Sequence, residues 1–342
     1  MIVSVDLGYG YVKAVNNQDD KKIIFPSVIA PGGEDMFEGN AVGLDLNGLG
    51  HSIEMRSVDS ISRNRLYIGD LATMSRGAQI TLSRDKFNRD VSLSFAMTAA
   101  YLAGAEDEFT LAIGLPLAYY KKQKEDAKNA LEGMSIKVTV NSGKEKQITF
   151  KNVLVYPQAV GALFYHTRLP REGLIGIVDI GYYTTDYLLA KVSPGNIIPL
   201  SSYSSSVEVG MHTALKLFAN KYTDNTGKPL DLLGANKLWD KETSRRHNVD
   251  VDKIKEIAGY EAGRTIGESI SNAWSEQMDF IDTVFLTGGG ALEFYPILKD
   301  QLEITEMMGE PQFANALGFL NMAKLQIQSL RRVNENGKST AL

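Results

Sequence analysis

Cysteine is absent from all 342 residues of the chain. A disulfide framework and a thiolate metal centre are therefore excluded, and the composition suits a reducing compartment. Histidine is almost as scarce. His51, His166, His212 and His247 are scattered without metal-ligand spacing and read as structural or surface residues. Long apolar runs are missing too: none approaches the ~20 residues that span a bilayer. The opening MIVSVDLGYG has no basic segment and reads as a strand, so no secretory leader is expected. Positive charge is not in excess either, with 36 Lys and Arg against 41 Asp and Glu, a formal net charge of −5. Such a chain is not expected to coat nucleic acid by itself. The expectation is a cytoplasmic protein without membrane contact.

What remains is a globular composition, 44% hydrophobic and 23% charged. The length fits two domains of roughly 150 residues. MIVSVDLG and YVKAVNN alternate as a hairpin joined by a glycine turn, and KKIIFPSVIA gives a third strand ended by proline. Residues 31–65 resemble a small appended subdomain of short strands, and NRLYIGDLA adds a strand and turn. DVSLSFAMTAAYLAGA has helical periodicity. FTLAIGLPLAYY is a buried strand running into a loop, and KKQKEDAKNALEG is an exposed helix stopped by Gly133. SIKVTVNSGKEKQITFKNVLVYPQA reads as a hairpin followed by a strand, and QAVGALFYH as a crossover helix of small residues. LIGIVDIGYYTTDYLLAKV restarts the scheme, and residues 205–275 are rich in helix. IDTVFLTGGGALEF is a strand, a triple-glycine turn and a helix start; ANALGFLNMAKLQIQSL closes the chain ahead of a frayed tail, NENGKSTAL.

The second hairpin echoes the first. Val5-Asp6-Leu7-Gly8-Tyr9 returns as Val178-Asp179-Ile180-Gly181-Tyr182. Either turn alone reads equally well as an ordinary hairpin; the pair points to two similar domains sharing a ligand. Gly8 and Gly10 permit positive φ and close backbone approach, so successive N–H groups can form an anion-binding nest. Lys13, on the returning strand, is placed to meet a β- or γ-phosphate. Asp6 is placed to hold a water of hydrated Mg²⁺, an ion that keeps much of its water shell. Gly181 repeats the backbone role, Thr184 offers a hydroxyl, and Asp179 supplies the second carboxylate towards the metal through water. Gly288-Gly289-Gly290 lets the backbone pass an α-phosphate and ribose beside a helix N-terminus; it has neither the G-x-G-x-x-G nor the P-loop form. Gln158 sits where a strand meets a helix and can orient a water for in-line attack on a γ-phosphate. Its plain alternative is a helix-start residue satisfying a backbone group. The basic stretches YKKQK and SRRHN read as solvated faces.

Five elements therefore stand in one order: DLGYGYVK, YPQAVGA, DIGYYTTD, LTGGGAL and ANALGFLNMA. That order resembles the actin–sugar kinase–DnaK superfamily, in its succession of first phosphate loop, first connection, second phosphate loop, adenosine loop and second connection. Within it the chain is most similar to bacterial and plasmid actin-like proteins of the ParM/StbA type, on its length, the D-x-G-x-x-T-x-D form of the second loop, YPQA, and the insert at 31–65. The resemblance implies an α/β protein of two RNase H-like, actin-type domains facing across a nucleotide cleft, each with a smaller appended subdomain. Domain I would span 1–157 (small subdomain about 31–70) and be completed by the helix 320–342. Domain II would span 158–319, with a helical subdomain at about 205–275.

The resemblance places Gly8, Tyr9, Gly10 and Lys13 on the first loop and Gly181, Tyr182, Tyr183, Thr184 and Asp186 on the second. Gly210 and the three glycines 288–290 complete the nucleotide-binding set. Gln158, Asp179 and Asp6 form the catalytic set, with ATP or GTP and Mg²⁺ as cofactors. Tyr9, Tyr182 and Tyr183 stand where many relatives carry small residues. The implied function is an NTPase that polymerises into nucleotide-dependent filaments and segregates plasmid DNA. Its partners would be further copies of itself and a small DNA-binding adaptor on a centromere-like locus. A small-molecule kinase of the sugar-kinase type would need a catalytic aspartate aimed at a substrate hydroxyl, and no candidate stands out. An MreB-like cell-shape protein would carry a membrane-binding stretch, and AKLQIQSLRR reads as a packing helix rather than an FtsA-like membrane tail.

Overall fold

The structure is a computed structural model describing all residues except 20, 33–49, 59–63, 76, 81–89, 166–168, 240–248, 303–304 and 340–342. Most of the expected 31–65 subdomain lies outside the described residues. Contacts divide the chain into two units. Unit 1 comprises Met1–Leu115, Tyr119–Tyr165 and Asn315–Leu342; unit 2 comprises Pro116–Ala118 and His166–Ala314. The divisions thus fall at 165/166 and 314/315, against expected boundaries at 157/158 and 319/320.

In unit 1, β1 (Ile2–Leu7) and β2 (Tyr11–Asn16) form the expected antiparallel hairpin. The expected third strand is two: β3 (Ile23–Pro26) pairs with β2, while β4 (Val28–Pro31) leaves for another part of the sheet. Ser27 makes the break. Its N–H donates to Gly10 O at 2.8 Å and its hydroxyl to Gly8 O at 2.6 Å, which turns the chain back under the first glycine turn. β5 (His51–Ser57), β6 (Asn64–Ile68), the short α1 (Asp70–Thr73) and β7 (Gln79–Ile80) follow. Then come α2 (Asp90–Leu102), β8 (Asp107–Leu115) and α3 (Leu117–Leu131). Helix α3 begins directly after the strand, where a loop was expected. β9 (Ser135–Val140) and β10 (Lys146–Pro157) form a hairpin, but β10 is one continuous strand rather than two. Lys146–Thr149 pair with β9, and Ile148–Pro157 pair with β8 with a register shift between Phe150 and Asn152. α4 (Val160–Tyr165) is the expected crossover helix.

Unit 2 opens on the antiparallel pair β11 (Gly173–Ile180) and β12 (Thr185–Ser193). β13 (Asn196–Val207) follows on the far side of β12; its serine-rich, at most half-buried sequence lacks the alternation of a strand. The helices are α5 (Met211–Thr226), α6 (Leu232–Trp239) and α7 (Val251–Trp274). β14 (Ile281–Thr287), α8 (Ala291–Gln301) and β15 (Thr305–Met307) complete the unit. The last helix, α9 (Ala314–Ser339), belongs to unit 1 almost entirely and runs through most of the residues expected to fray.

The duplication is exact in topology. Among the described residues one sheet runs β3-β2-β1-β8-β10 before continuing β9-β5-β6-β4-β7, and the other runs β13-β12-β11-β14-β15. In each, an antiparallel three-strand meander is extended by two strands parallel to the first. Parallel central strands require both faces to be covered. Accordingly β1 is buried along its whole length and β8 from Phe109 onwards, while Val178, Ile180 and Leu286 lie in the core of unit 2. Each hairpin turn follows the first central strand, and the ladder sets Asp6 opposite Lys13 and Asp179 opposite Asp186.

Two half-buried histidines give a pH dependence. His51 meets Phe25 edge-on at 5.6 Å, and Asn141 Nδ2, which can only donate, lies 3.3 Å from its Nδ1. Burial lowers the His51 pKa, with Asp70 opposing; burial lowers that of His212 too, reinforced by Lys216. Both rings are thus harder to protonate folded than unfolded. Their contribution is complete above the ordinary value of 6.5 and is lost as the pH falls below it. Urea midpoints measured on either side of that value are expected to drop on the acid side, and less steeply in His51→Gln. A His51→Gln slope equal to the parental one would contradict this assignment.

Candidate functional site

Within unit 1 the first glycine turn, the end of β10 and the start of α9 converge. Asp6 is buried at the end of β1, and each of its oxygens has a partner. Lys13 Nζ donates to Oδ2 at 3.1 Å and Gln158 Nε2 to Oδ1 at 2.9 Å. The Asp6 and Lys13 side chains are only 6% and 10% exposed, so the pair neutralises charge that would be costly to bury alone. Gly8 is required by space rather than by φ: a Cβ there would lie 2.5 Å from Tyr11 O and 3.0 Å from Lys13 Nζ. Tyr9, the bulky residue of the turn, is buried. Gly10 O is taken by Ser27. Gln158, itself buried, continues the β10–β8 ladder through its N–H to Leu115 O at 2.8 Å.

Unit 2 gathers the second and third turns. Gly181 N–H donates to Thr184 O at 2.9 Å, closing a tight turn with the Thr184 side chain buried. The carbonyls of Gly181 and Tyr182 accept from Met211 and His212 N–H at 3.2 and 2.6 Å, so the turn is seated on the first residues of α5. Gly210, which caps α5, allows this approach: a Cβ would lie 2.6 Å from Gly181 O. Tyr182 and Tyr183 both lean on the His212 ring, at 5.8 and 5.7 Å between centroids. The triple glycine lies against the same turn. Gly288 has φ +88° and its Cα abuts Asp179 Oδ1 and Ile180 O, and Gly290 N–H donates to Ile180 O at 2.9 Å. Gly289 alone of the three has open space where a Cβ would stand.

Asp186, expected in the nucleotide-binding set, also holds a helix start. It is 2% exposed, and its Oδ1 accepts from Leu117 N–H at 2.8 Å and from the Ser206 hydroxyl. Ser206 Oγ in turn accepts from Ala118 N–H at 3.1 Å. The two side chains cap the first turn of α3, as an acceptor at a helix start should. Pattern reading also passed over Asn315 and Ser27. Both are polar residues beside motif residues, and that position is their only mark in the sequence.

The glycines make separable expectations. Gly288→Ala forces positive φ on a residue with a Cβ and drives that Cβ into Asp179 and Ile180, at roughly 1–3 kcal/mol or more. Gly289→Ala meets no atom and should leave the urea midpoint unchanged. Equal midpoints for the two variants would contradict the geometry.

Two meander-plus-parallel sheets, each opening on an Asp-x-Gly hairpin, with a triple-glycine turn packed beneath the second, define the actin-type ATPase fold. The comparisons agree. Residues 4–161 match the family described as actin-like proteins, N-terminal domain, and residues 177–300 match the archaeal actin homologue MreB-like C-terminal family. The chain is an actin-like protein. It is 25% identical to an archaeal actin homologue of Thermoplasma acidophilum, over 95% of this chain and 99% of that one. Its fold is similar to that of a 15-stranded ParM filament from Clostridium botulinum, with a TM-score of 0.83 and 22% identity over 95% of this chain and 99% of the other. It is also similar to an archaeal actin homologue solved in complex with ADP, with a TM-score of 0.77 and 21% identity over 94% and 99% of the two chains. No helix among the described residues is long and apolar enough to cross a membrane.

Proposed function

We propose that this chain binds and hydrolyses ATP with Mg²⁺, assembles into filaments in the nucleoside-triphosphate state, and serves plasmid DNA segregation. The observation that carries the reading is Asp6 held at once by Lys13 and Gln158, behind a turn whose Gly8 leaves no room for a side chain. The residues of each unit, taken by itself, suit phosphate groups. In unit 1 the turn at Gly8 packs backbone tightly and Lys13 supplies a cation; in unit 2 the turns at Gly181 and Gly288 do the same for backbone, and Gly289 leaves a gap at the head of α8. Asp6 and Asp179 would hold the metal through water, and when bound Mg²⁺ neutralises charge on the β- and γ-oxygens.

The chemistry of this chain's own side chains is then limited. Lys13, freed from Asp6, meets phosphate oxygen. Gln158 Nε2 already donates to Asp6, so its amide group stands beside the metal-directed carboxylate, where its oxygen can accept from and orient a water. An amide is too weak a base to remove the proton, so its part is orientation. Gly181, Gly210, Gly288, Gly289 and Gly290, with Tyr182 and Tyr183 beside them, form the nucleotide-binding set of unit 2, and Gly8, Tyr9 and Gly10 that of unit 1. Thr184 contributes through its place in the turn.

Filament assembly would use copies of this chain as partners, as in the ParM filament it is similar to. With a net charge of −5, DNA would be reached through a small basic adaptor protein. The test is sedimentation and light scattering with ATP, GTP, their non-hydrolysable analogues and ADP. Polymer is expected with triphosphate and not with ADP. Absence of polymer with every nucleotide, together with phosphorylation of a small hydroxylated compound, would replace this reading by a kinase.

A further inference from the structure

The residue after Gln158 is held in an unfavourable conformation. Ala159 has φ +63°, in the left-handed region that a side chain disfavours, and it is completely buried. Val160 N–H donates to Gln158 O at 2.8 Å, two residues back, so residues 158–160 form a γ-turn of the strained hand. Such a conformation carries about 1–3 kcal/mol and persists only where its surroundings impose it.

The constraint comes from the start of α9. Ala159 N–H cannot join the β10–β8 ladder, which ends with Gln158 N–H on Leu115 O. It donates instead to Asn315 Oδ1 at 3.2 Å, a hydrogen bond between buried groups 156 residues apart. Asn315 is 6% exposed, and a Cβ on Gly161 would lie 3.1 Å from the same oxygen, so the amide is wedged against the start of α4. A shorter side chain would leave a buried N–H without a partner and the turn without its clamp.

We propose that Asn315 is a positioning residue for Gln158: by accepting the Ala159 N–H it holds the strained turn that aims the Gln158 amide at Asp6. The inference rests on the hydrolytic reading above and adds a residue to it. Asn315 acts through the backbone and touches no reacting atom.

The test uses the whole chain with glutamine selectively ¹⁵N-labelled. In nucleotide-free protein the Gln158 side-chain amide resonance, assigned by its loss in Gln158→Ala, reports its hydrogen bond to Asp6. Asn315→Ala is expected to move that resonance towards the position of exposed glutamines. It should also slow single-turnover ATP hydrolysis by roughly tenfold to a hundredfold, with the nucleotide Kd unchanged. Asn315→Ser carries the same expectation, being too short to reach Ala159 while suiting a helix start, and serves should Asn315→Ala fail to fold. The discriminating variant adds Ala159→Gly. Glycine adopts φ +63° freely, so the double substitution should restore both the resonance and most of the rate, whereas damage to α9 packing would not be rescued. An unmoved resonance, or one that Ala159→Gly does not restore, overturns the proposal. If Gln158→Ala hydrolyses at the parental rate, the hydrolytic reading fails instead, and the resonance still decides whether Asn315 holds the turn.

Discussion

Gln158→Ala is expected to hydrolyse ATP roughly a hundredfold more slowly than the parent while binding the nucleotide almost as well. The magnitude is that of losing a group that orients a reacting water. The selectivity follows from the local structure. Truncating Gln158 removes one donor from Asp6 Oδ1, but in the nucleotide-free chain Lys13 stays on Oδ2, so the buried carboxylate keeps its counter-charge until nucleotide binds. The backbone of residue 158 is held by Leu115 O and by the turn at Ala159, neither of which involves the glutamine side chain. The turns at Gly8, Gly181 and Gly288 are untouched. Phosphate release measured over a single turnover, alongside nucleotide titration, checks the split. Polymers formed with ATP should persist longer in the variant, because hydrolysis is the step that would weaken their contacts. Parental hydrolysis in Gln158→Ala would remove Gln158 from the mechanism.

The largest effect on stability is expected at Gly318. Helix α9 crosses α4 with the Gly318 Cα against the backbone of Gly161, and a Cβ there would fall inside the Gly161 carbonyl, with Gly161 Cα only 3.0 Å away. No side chain can move to relieve the clash, since both surfaces are backbone. The next residue, Phe319, is fully buried with its ring against Gly114 of β8 and Gly161 of α4, stacked on Tyr156 at 6.1 Å. Ser4 Oγ donates to Ala316 O at 2.6 Å, Asn321 Nδ2 to Phe164 O at 3.2 Å and Tyr156 Oη to Gln326 Oε1 at 2.8 Å along the same helix. Gly318→Ala must lift α9 out of this seat, so a loss of about 3 kcal/mol or more is expected. It would appear as a lower urea midpoint at unchanged slope. Gly309→Ala, where a Cβ meets nothing within 4 Å, is the matched control. Similar midpoints for the two would show that α9 is not seated as described. Gly267 makes a useful contrast: its obstacle is the tip of Gln301, a side-chain oxygen without a partner that can swing away, so Gly267→Ala should be mild.

The seat of α9 also explains why part of the site was hidden from pattern reading. Asn315 occurs in ANALG, four residues before Phe319, and nothing local marks its amide as the partner of Ala159, 156 residues earlier. Asp186 shows the opposite difficulty. It completes a D-x-G-x-x-T-x-D string and so reads as a ligand residue, and the fold also gives its Oδ1 to Leu117 N–H and the Ser206 hydroxyl. Which neighbours an acidic side chain meets depends on segments that only folding brings alongside. Tyr9 is similar: its size stands out in the sequence, and its burial is decided only by the fold.

By itself the sequence determined the duplicated hairpins, the triple-glycine turn and the helices of clear period. Those features depend on interactions within a few residues: glycine's backbone freedom, the alternation of apolar side chains in β1 and β11, helical spacing in α2. Tertiary structure decided the rest. It made β10 one strand, because β8 pairs with it from Ile148 to Pro157, and made β13 a strand despite its polarity, because β12 offers a ladder. It split β3 from β4 at Ser27, which ties both carbonyls of the first glycine turn. It also set Gln158 on Asp6 and Asn315 under Ala159. Buried hydrogen bonds between distant residues are chosen by packing, since a desolvated donor must take whichever acceptor the fold places within reach.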